Sequence, residues 1–338
     1  MEAFSRFLDV LDRRKTTWRA LERVKAGDDL ARLLSSTPDL FVAAAKLAAD
    51  PNQLATDRVV AGGLVVRDES RRSEGLSMLS AMLSPKTPVE AQRAAIRTLG
   101  ASGDANVPDR LVKVWPALGP ESRLAVLDEL LAREPWSLEL VRQIEQGRIV
   151  AGALDASRRE RLLRHASARV KQAATKALVA GERSTRAQVI ESYRPALALT
   201  GDTTRGAAVF GKLCATCHKL GEVGHDIGPN LQSVANHPPE KLLVSILDPN
   251  ASIQPGYTAY TAHLAGGEKL YGIIAAETGN SVVMRMPDGK ARTLLRSELN
   301  SLESGNLSLM PEGIEAGLSH QDLADLIRAL QGGGTDQR

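Results

Sequence analysis

The sequence predicts a mostly α-helical protein with a small β-rich segment towards its C-terminus. Three observations predict it. Aromatic residues make up only 3% of the 338 residues while alanine and leucine are abundant, which favours helices packed through small side chains over a β-sandwich. Apolar residues recur at helical spacing through about residue 197. Beyond residue 201 the texture changes to Gly/Pro/Asn-rich loops and alternating apolar runs. The length implies two or three domains, and the change of texture sets their expected limits: a helical region over 1–197 and a second domain over 201–332.

Within the helical region, residues 89–104 ("VEAQRAAIRTLGASGD") place apolar side chains on one face, with Gly100 near the stop. Residues 120–135 start at one proline and end at another, with a Leu/Val stripe between. Residues 167–183 form a third helix closing at Gly181. Asp155 or Ser157 is a candidate N-cap for a short helix, and His165 falls in the turn at its end. "EAQRAAIRTL" (90–99) aligns with "RVKQAATKAL" (169–178), with "SRLAVLDELL" (122–131) a looser copy between them. The offset of the first pair is about two repeats of forty residues, the period of helix-pair solenoids. The pattern resembles degenerate HEAT repeats; an irregular helical bundle is the alternative. Pro195 and Gly201 punctuate an expected linker.

The C-terminal part reads as an N-capped helix leading into "CATCH", a loop over 221–230, and a helix over 238–251. Four strand-like runs follow, at 257–264, 269–278, 281–289 and 290–299. Gly266-Gly267, Gly279-Asn280 and Asp288-Gly289 lie between them as hairpin signals. An amphipathic helix over 319–331, capped by Ser319 or His320, closes the domain, and a frayed tail is expected after Gly332.

The net charge of +3 is too small to argue for nucleic acid. Its distribution is uneven. From residue 201 on, 11 Lys and Arg face 15 Asp and Glu, a net of −4, whereas the first 200 residues carry 32 against 25, a net of +7. No run of about 18 apolar residues exists, so no transmembrane helix is expected. The first residues carry charges throughout and do not read as a secretory signal.

Both cysteines of the chain, Cys214 and Cys217, stand in one window, with His218 directly after them. Three chemistries compete for that pattern. Zinc needs four ligands, and the other histidines (His165, His225, His237, His263 and His320) form no closely spaced pair. A thioredoxin-like dithiol sits at the end of a strand in a βαβ unit, whereas this motif ends a helix. Haem attachment fits each feature: two thiols add to the two vinyl groups of one porphyrin, and the adjacent histidine is placed as axial ligand.

Further motifs surround the window in order: Gly201-Asp202, Arg205-Gly206, Val209-Phe210, Gly228-Pro229-Asn230-Leu231, "ILDP" (246–249), Tyr257 and Tyr260, and "SLMPEG" (308–313). With these, residues 201–332 resemble class I c-type cytochromes, and more closely the haem-binding domain common in planctomycete and verrucomicrobial proteins. The resemblance implies covalent haem c with iron, held by Cys214, Cys217 and His218, with Met310 as the distal ligand. Pro229 matches the residue whose carbonyl accepts a hydrogen bond from the proximal imidazole. Gly206 and Phe210 match the crossing of the first helix on the last. There the usual aromatic is replaced by Ala329, so Leu326 and Leu330 are expected to fill the space. Met284 and Met286 are expected as core gap-fillers instead. The segment at about 257–302 lies outside a minimal cytochrome and looks like a small Sm- or SH3-like barrel, serving either as bulk or as a docking surface.

The function implied is electron transfer, with a redox partner protein or dehydrogenase domain and no catalytic activity in this chain alone. Chains of this kind often follow a β-propeller dehydrogenase acting on a sugar or alcohol. That motif and the missing export signal lead to the expectation of the C-terminal part of a larger exported, periplasmic protein. The alternatives are a haem enzyme or sensor with a labile Met310, a helical interaction scaffold with auxiliary haem, and a bis-histidine haem using His225 or His237.

Overall fold

The computed structural model describes residues 2–14, 16, 18–22, 35, 37–180, 186–254 and 256–332. Gly181 and the expected frayed tail lie outside them. The chain divides into two compact units between Glu129 and Leu130.

The first unit is helical: α1 (Glu2–Arg13), α2 (Trp18–Glu22), α3 (Thr37–Ala49), α4 (Ala55–Val66), α5 (Arg72–Ala81), α6 (Val89–Ser102), α7 (Val107–Val114) and α8 (Pro120–Leu130). Small side chains let these helices approach closely. Ala44, Ala45, Ala48 and Ala61 are buried around Phe41, and a Cβ at Gly75 would lie 2.6 Å from the Val66 amide nitrogen. Gly100 does not stop α6. It sits against Glu129, and the helix ends at Gly103, whose φ of 65° supplies the left-handed cap. Buried Gln92 donates to the carbonyls of Ser84 and Thr87 and accepts from Ser122, so α6 carries no unpaired amide into the core.

The second unit begins with α9 (Glu134–Glu145), α10 (Ala156–Leu163) and α11 (Ala168–Ala180). Pro135 starts α9 rather than ending α8, as suits the first turn of a helix. Asp155 is the N-cap of α10, accepting from the Arg158 amide at 2.8 Å. His165 accepts from the Ser167 amide in the turn that follows. The helical region runs on through α12 (Ala187–Tyr193), and the expected linker is partly structured, as a 3-10 turn (Arg194–Ala198) that leads to α13 (Thr203–Leu213). Contacts run across the expected border near 200. The Tyr193 hydroxyl lies 2.8 Å from the Glu315 carbonyl oxygen and 2.9 Å from that of Leu318. Asn306 donates to the Arg148 carbonyl, and a Cβ at Gly152 would lie 2.6 Å from the Ile253 amide nitrogen.

After α13 come the short pair β1 (Lys219–Leu220) and β2 (Val223–Gly224), then α14 (Pro239–Leu247), a five-stranded sheet and α15 (His320–Gln331). The sheet is antiparallel in the order β6-β5-β4-β3-β7, with β3 Ala259–Leu264, β4 Lys269–Glu277, β5 Ser281–Arg285, β6 Ala291–Leu295 and β7 Leu299–Glu303. One face buries Tyr260, Ala262, Ile274, Val282, Met284 and Leu294. Met284 is core, as expected, and Met286 is half-buried. The run 290–299 is not one strand. It breaks at Arg296, which is buried, pairs with Glu277 at 3.0 Å and donates to the Thr278 carbonyl. A fifth strand, β7, then pairs with β3. No helix among the described residues is long and apolar enough to cross a membrane.

Candidate haem site

Asp202 caps α13 by accepting from the Arg205 amide, and the helix delivers the chain to Cys214. The next residues form a closed turn. The amides of Cys217 and His218 both donate to the Cys214 carbonyl, at 3.0 and 2.9 Å. The Cys217 carbonyl then accepts from the amides of Ile227 and Gly228, and the Ala215 carbonyl from that of His225. Segment 214–228 is thus folded on itself by its own backbone. Gly224 permits the return: its φ is 96°, and a Cβ there would lie 2.0 Å from the His218 carbonyl oxygen.

The His218 ring is fixed on two sides. Its Nδ1 lies 2.8 Å from the Pro229 carbonyl oxygen. A carbonyl only accepts, so Nδ1 carries the proton and Nε2 keeps a free lone pair. Gly228 lies against the ring, where a Cβ would come within 2.5 Å of Cε1. Burial pulls the His218 pKa down against the opposing effect of the Pro229 bond, favouring the neutral imidazole that a metal requires.

Cys214 and Cys217 are half-buried free thiols. Burial, with a smaller contribution from Cys217, pushes the Cys214 thiol up to about 11, and burial also raises Cys217. A redox dithiol would lower one of the pair. Among the described residues no three His, Cys, Asp or Glu converge as a metal cluster. His225 is exposed, and His237 Nε2 faces Lys241 Nζ at 3.2 Å.

Met310 is half-buried in the loop that follows β7. Its amide donates to Ser308 Oγ, and the Ser308 amide donates to Asn250 Oδ1 at 2.8 Å. Asn250 also donates to Glu312. Thr258 bridges to Ser308, and the Ala259 amide donates to the Leu307 carbonyl.

Helices α13 and α15 cross at Gly206. A Cβ there would lie 2.0 Å from the Asp325 carbonyl oxygen and 2.8 Å from the Ala329 Cβ. Ala329 therefore lies against the glycine, and no aromatic would fit at that spot. Phe210, Leu326 and Leu330 pack in the adjoining core with Leu243 and Ile246. Leu213 and Leu231 border that core, and Leu309 is half-buried outside it. The Asp325 side chain, 1% exposed, accepts from the Asp202 amide, Gln321 and both arms of Arg205. Sequence reasoning missed that acceptor, although Arg205 stands in one of the motifs.

Residues 201–270 match the family model described as cytochrome c oxidase, cbb3-type, subunit III. The region is a c-type cytochrome domain. The match begins at the cap of α13 and stops within β4, short of Met310. No curated protein matches the chain. A c-type cytochrome domain carries covalently bound haem c with its iron, and the residues fit that group: two neutral thiols, one oriented neutral imidazole and a glycine that leaves the ring clear. Haem chemistry is the basis of electron transfer, so the domain implies a redox partner.

Proposed function

We propose that the chain is an electron-transfer module in which Cys214 and Cys217 hold haem c and His218 and Met310 ligate its iron. When bound, the haem supplies a reversible one-electron change at iron. The rest is the work of the chain. Pro229 sets the tautomer of His218, so that Nε2 is the free nitrogen. Gly228 leaves the ring plane unobstructed. The core around Phe210 and Leu326 keeps water from one side of the site and so favours the less charged oxidation state. With His218 and Met310 both holding the iron, the module would act as an electron carrier.

The observation that carries this proposal is the 2.8 Å contact from His218 Nδ1 to the Pro229 carbonyl, next to a Cys-x-x-Cys turn. The order of the motifs over 201–332 supports the narrower class I, planctomycete-type assignment, and with it Met310. The aligned helices 90–99 and 169–178 support degenerate HEAT-like repeats over 1–197. The return of β7 to pair with β3, over one shared core, supports a small Sm- or SH3-like unit over about 257–302. The same resemblance supports an exported, periplasmic setting and a dehydrogenase of sugars or alcohols as electron donor.

The test is an absorption spectrum, oxidised and reduced, of protein expressed with export and haem-maturation machinery. The expected result is haem that survives acid-acetone extraction and a methionine–iron band that Met310→Ala removes. Protein that carries no covalent haem under these conditions sinks the proposal. A spectrum untouched by Met310→Ala moves the distal ligand to His225 or His237.

A further inference from the structure

The last helix of the expected helical region reaches the loop that carries Met310. Arg186, at the N-terminal end of α12, donates through Nε to the Leu247 carbonyl and through a terminal nitrogen to Glu315. Its other terminal nitrogen lies 3.7 Å from Glu312 Oε2. The Arg186 side chain is 13% exposed and that of Glu315 is 16%, so the pair is screened little by water. Glu315 Oε2 is buried and makes no hydrogen bond. Two turns further on, the Tyr193 hydroxyl reaches the carbonyls of Glu315 and Leu318. Glu312 is held from the other side by Asn250, which also fixes the Ser308 amide. Met310 thus sits between two anchors, Ser308 and Glu312, and the second of these belongs to the Arg186 cluster.

We propose that Arg186 is a positioning residue for the distal ligand, and that residues 186–198 are a working part of the redox centre rather than a tether. This rests on the assignment of Met310 as ligand. A methionine thioether is a weak ligand, and its bond to iron competes with opening of the loop. An anchor that closes the loop raises the fraction of ligated molecules. Removing the guanidinium leaves a buried carboxylate without its counter-charge, which favours the open loop.

The test uses the full haem-loaded chain with Arg186→Met, Arg186→Lys and Met310→Ala. Arg186→Met is expected to keep covalent haem and lose much of the methionine–iron band. Its reduction potential should fall, and its apparent affinity for added imidazole should rise about tenfold, as when the competent open state becomes tenfold more populated. Arg186→Lys keeps the charge without the fork and should recover part of the band. A merely structural Arg186 would lower the melting temperature but leave band, potential and imidazole affinity at their parent values, and that result overturns the proposal. If Met310→Ala itself leaves the spectrum unchanged, the ligand assignment fails and this proposal with it, a result distinct from the previous one. Should Arg186→Met not fold, Tyr193→Phe and Glu312→Gln decide by the same readouts: a weakened band with raised imidazole affinity supports the proposal, and parent values in both overturn it.

Discussion

The two sides of the candidate haem site are built differently. On the proximal side, residues 214–229 hold themselves: backbone amides and carbonyls within these sixteen residues close the turn and orient His218. On the distal side, the loop around Met310 is joined to β3 by backbone at Leu307 and Ser308, and beyond that it is held by side chains from far along the chain, Asn250, Arg186 and Tyr193. Backbone bonds of short range survive most side-chain changes, whereas a loop tied by side chains can be released by one substitution. On the ligation proposed above, the difference would make the histidine the fixed ligand and the methionine the adjustable one.

The strongest way to break this comparison is on the proximal side. Gly224→Ala forces a side chain into positive φ and against the His218 carbonyl. It should cost about 3 kcal/mol and reduce the yield of haem-loaded protein, measured as covalent haem per chain. Normal loading would mean the turn is not rigid. Gly228→Ala comes next, at about 1–3 kcal/mol, because its Cβ meets the imidazole rather than backbone. It should also alter the spectrum through the tilt of His218. Asn250→Ala addresses the distal side, removing acceptor and donor at Ser308 and Glu312 for about 1 kcal/mol. Here haem loading should stay at the parent level while the methionine–iron band weakens. Loss of loading instead would erase the distinction between the two sides.

A smaller effect concerns acid. Hydrogen bonds from Arg205, outweighing burial, hold the Asp325 carboxyl down at about 2. A carboxylate with a lowered folded pKa stabilises above its unfolded pKa, and that contribution is lost as pH falls through the folded value. The melting-temperature gap between parent and Asp325→Asn should therefore be constant at neutral pH and close progressively below about pH 4, as the carboxyl protonates. A gap that persists at pH 2 would show that the helix crossing, not the ion pair, depends on Asp325. Arg285→Ala should have the least effect. Arg285 donates to the Asp226 carbonyl from β5, but the loop it touches is already closed by backbone.

The same contrast explains what could be read from the sequence. Cys214, Cys217, His218 and Pro229 fall within sixteen residues, and their geometry follows from local spacing and glycine placement. The cap at Asp202 and the hairpin glycines of the sheet were legible for the same reason. The end of α6 was not, because Gly100 is fixed by contact with Glu129 while Gly103 supplies the cap. The break at Arg296 depends on a buried partner on β4, which no local pattern announces. The role of residues 186–198 was hidden in the same way, since Arg186 and Glu315 lie 129 positions apart.

The crossing of Gly206 on Asp325 and Ala329 carries a consequence for the order of events during synthesis. Arg205 and its acceptor are 120 residues apart, so the helix that leads to the cysteines gains its main partner only when the last helix has been made. The burial that keeps the Cys214 thiol protonated in the finished domain is therefore incomplete while the chain is still emerging. Completion of the helix crossing thus waits on the length of chain between two small residues, and the intervening sheet is part of that length.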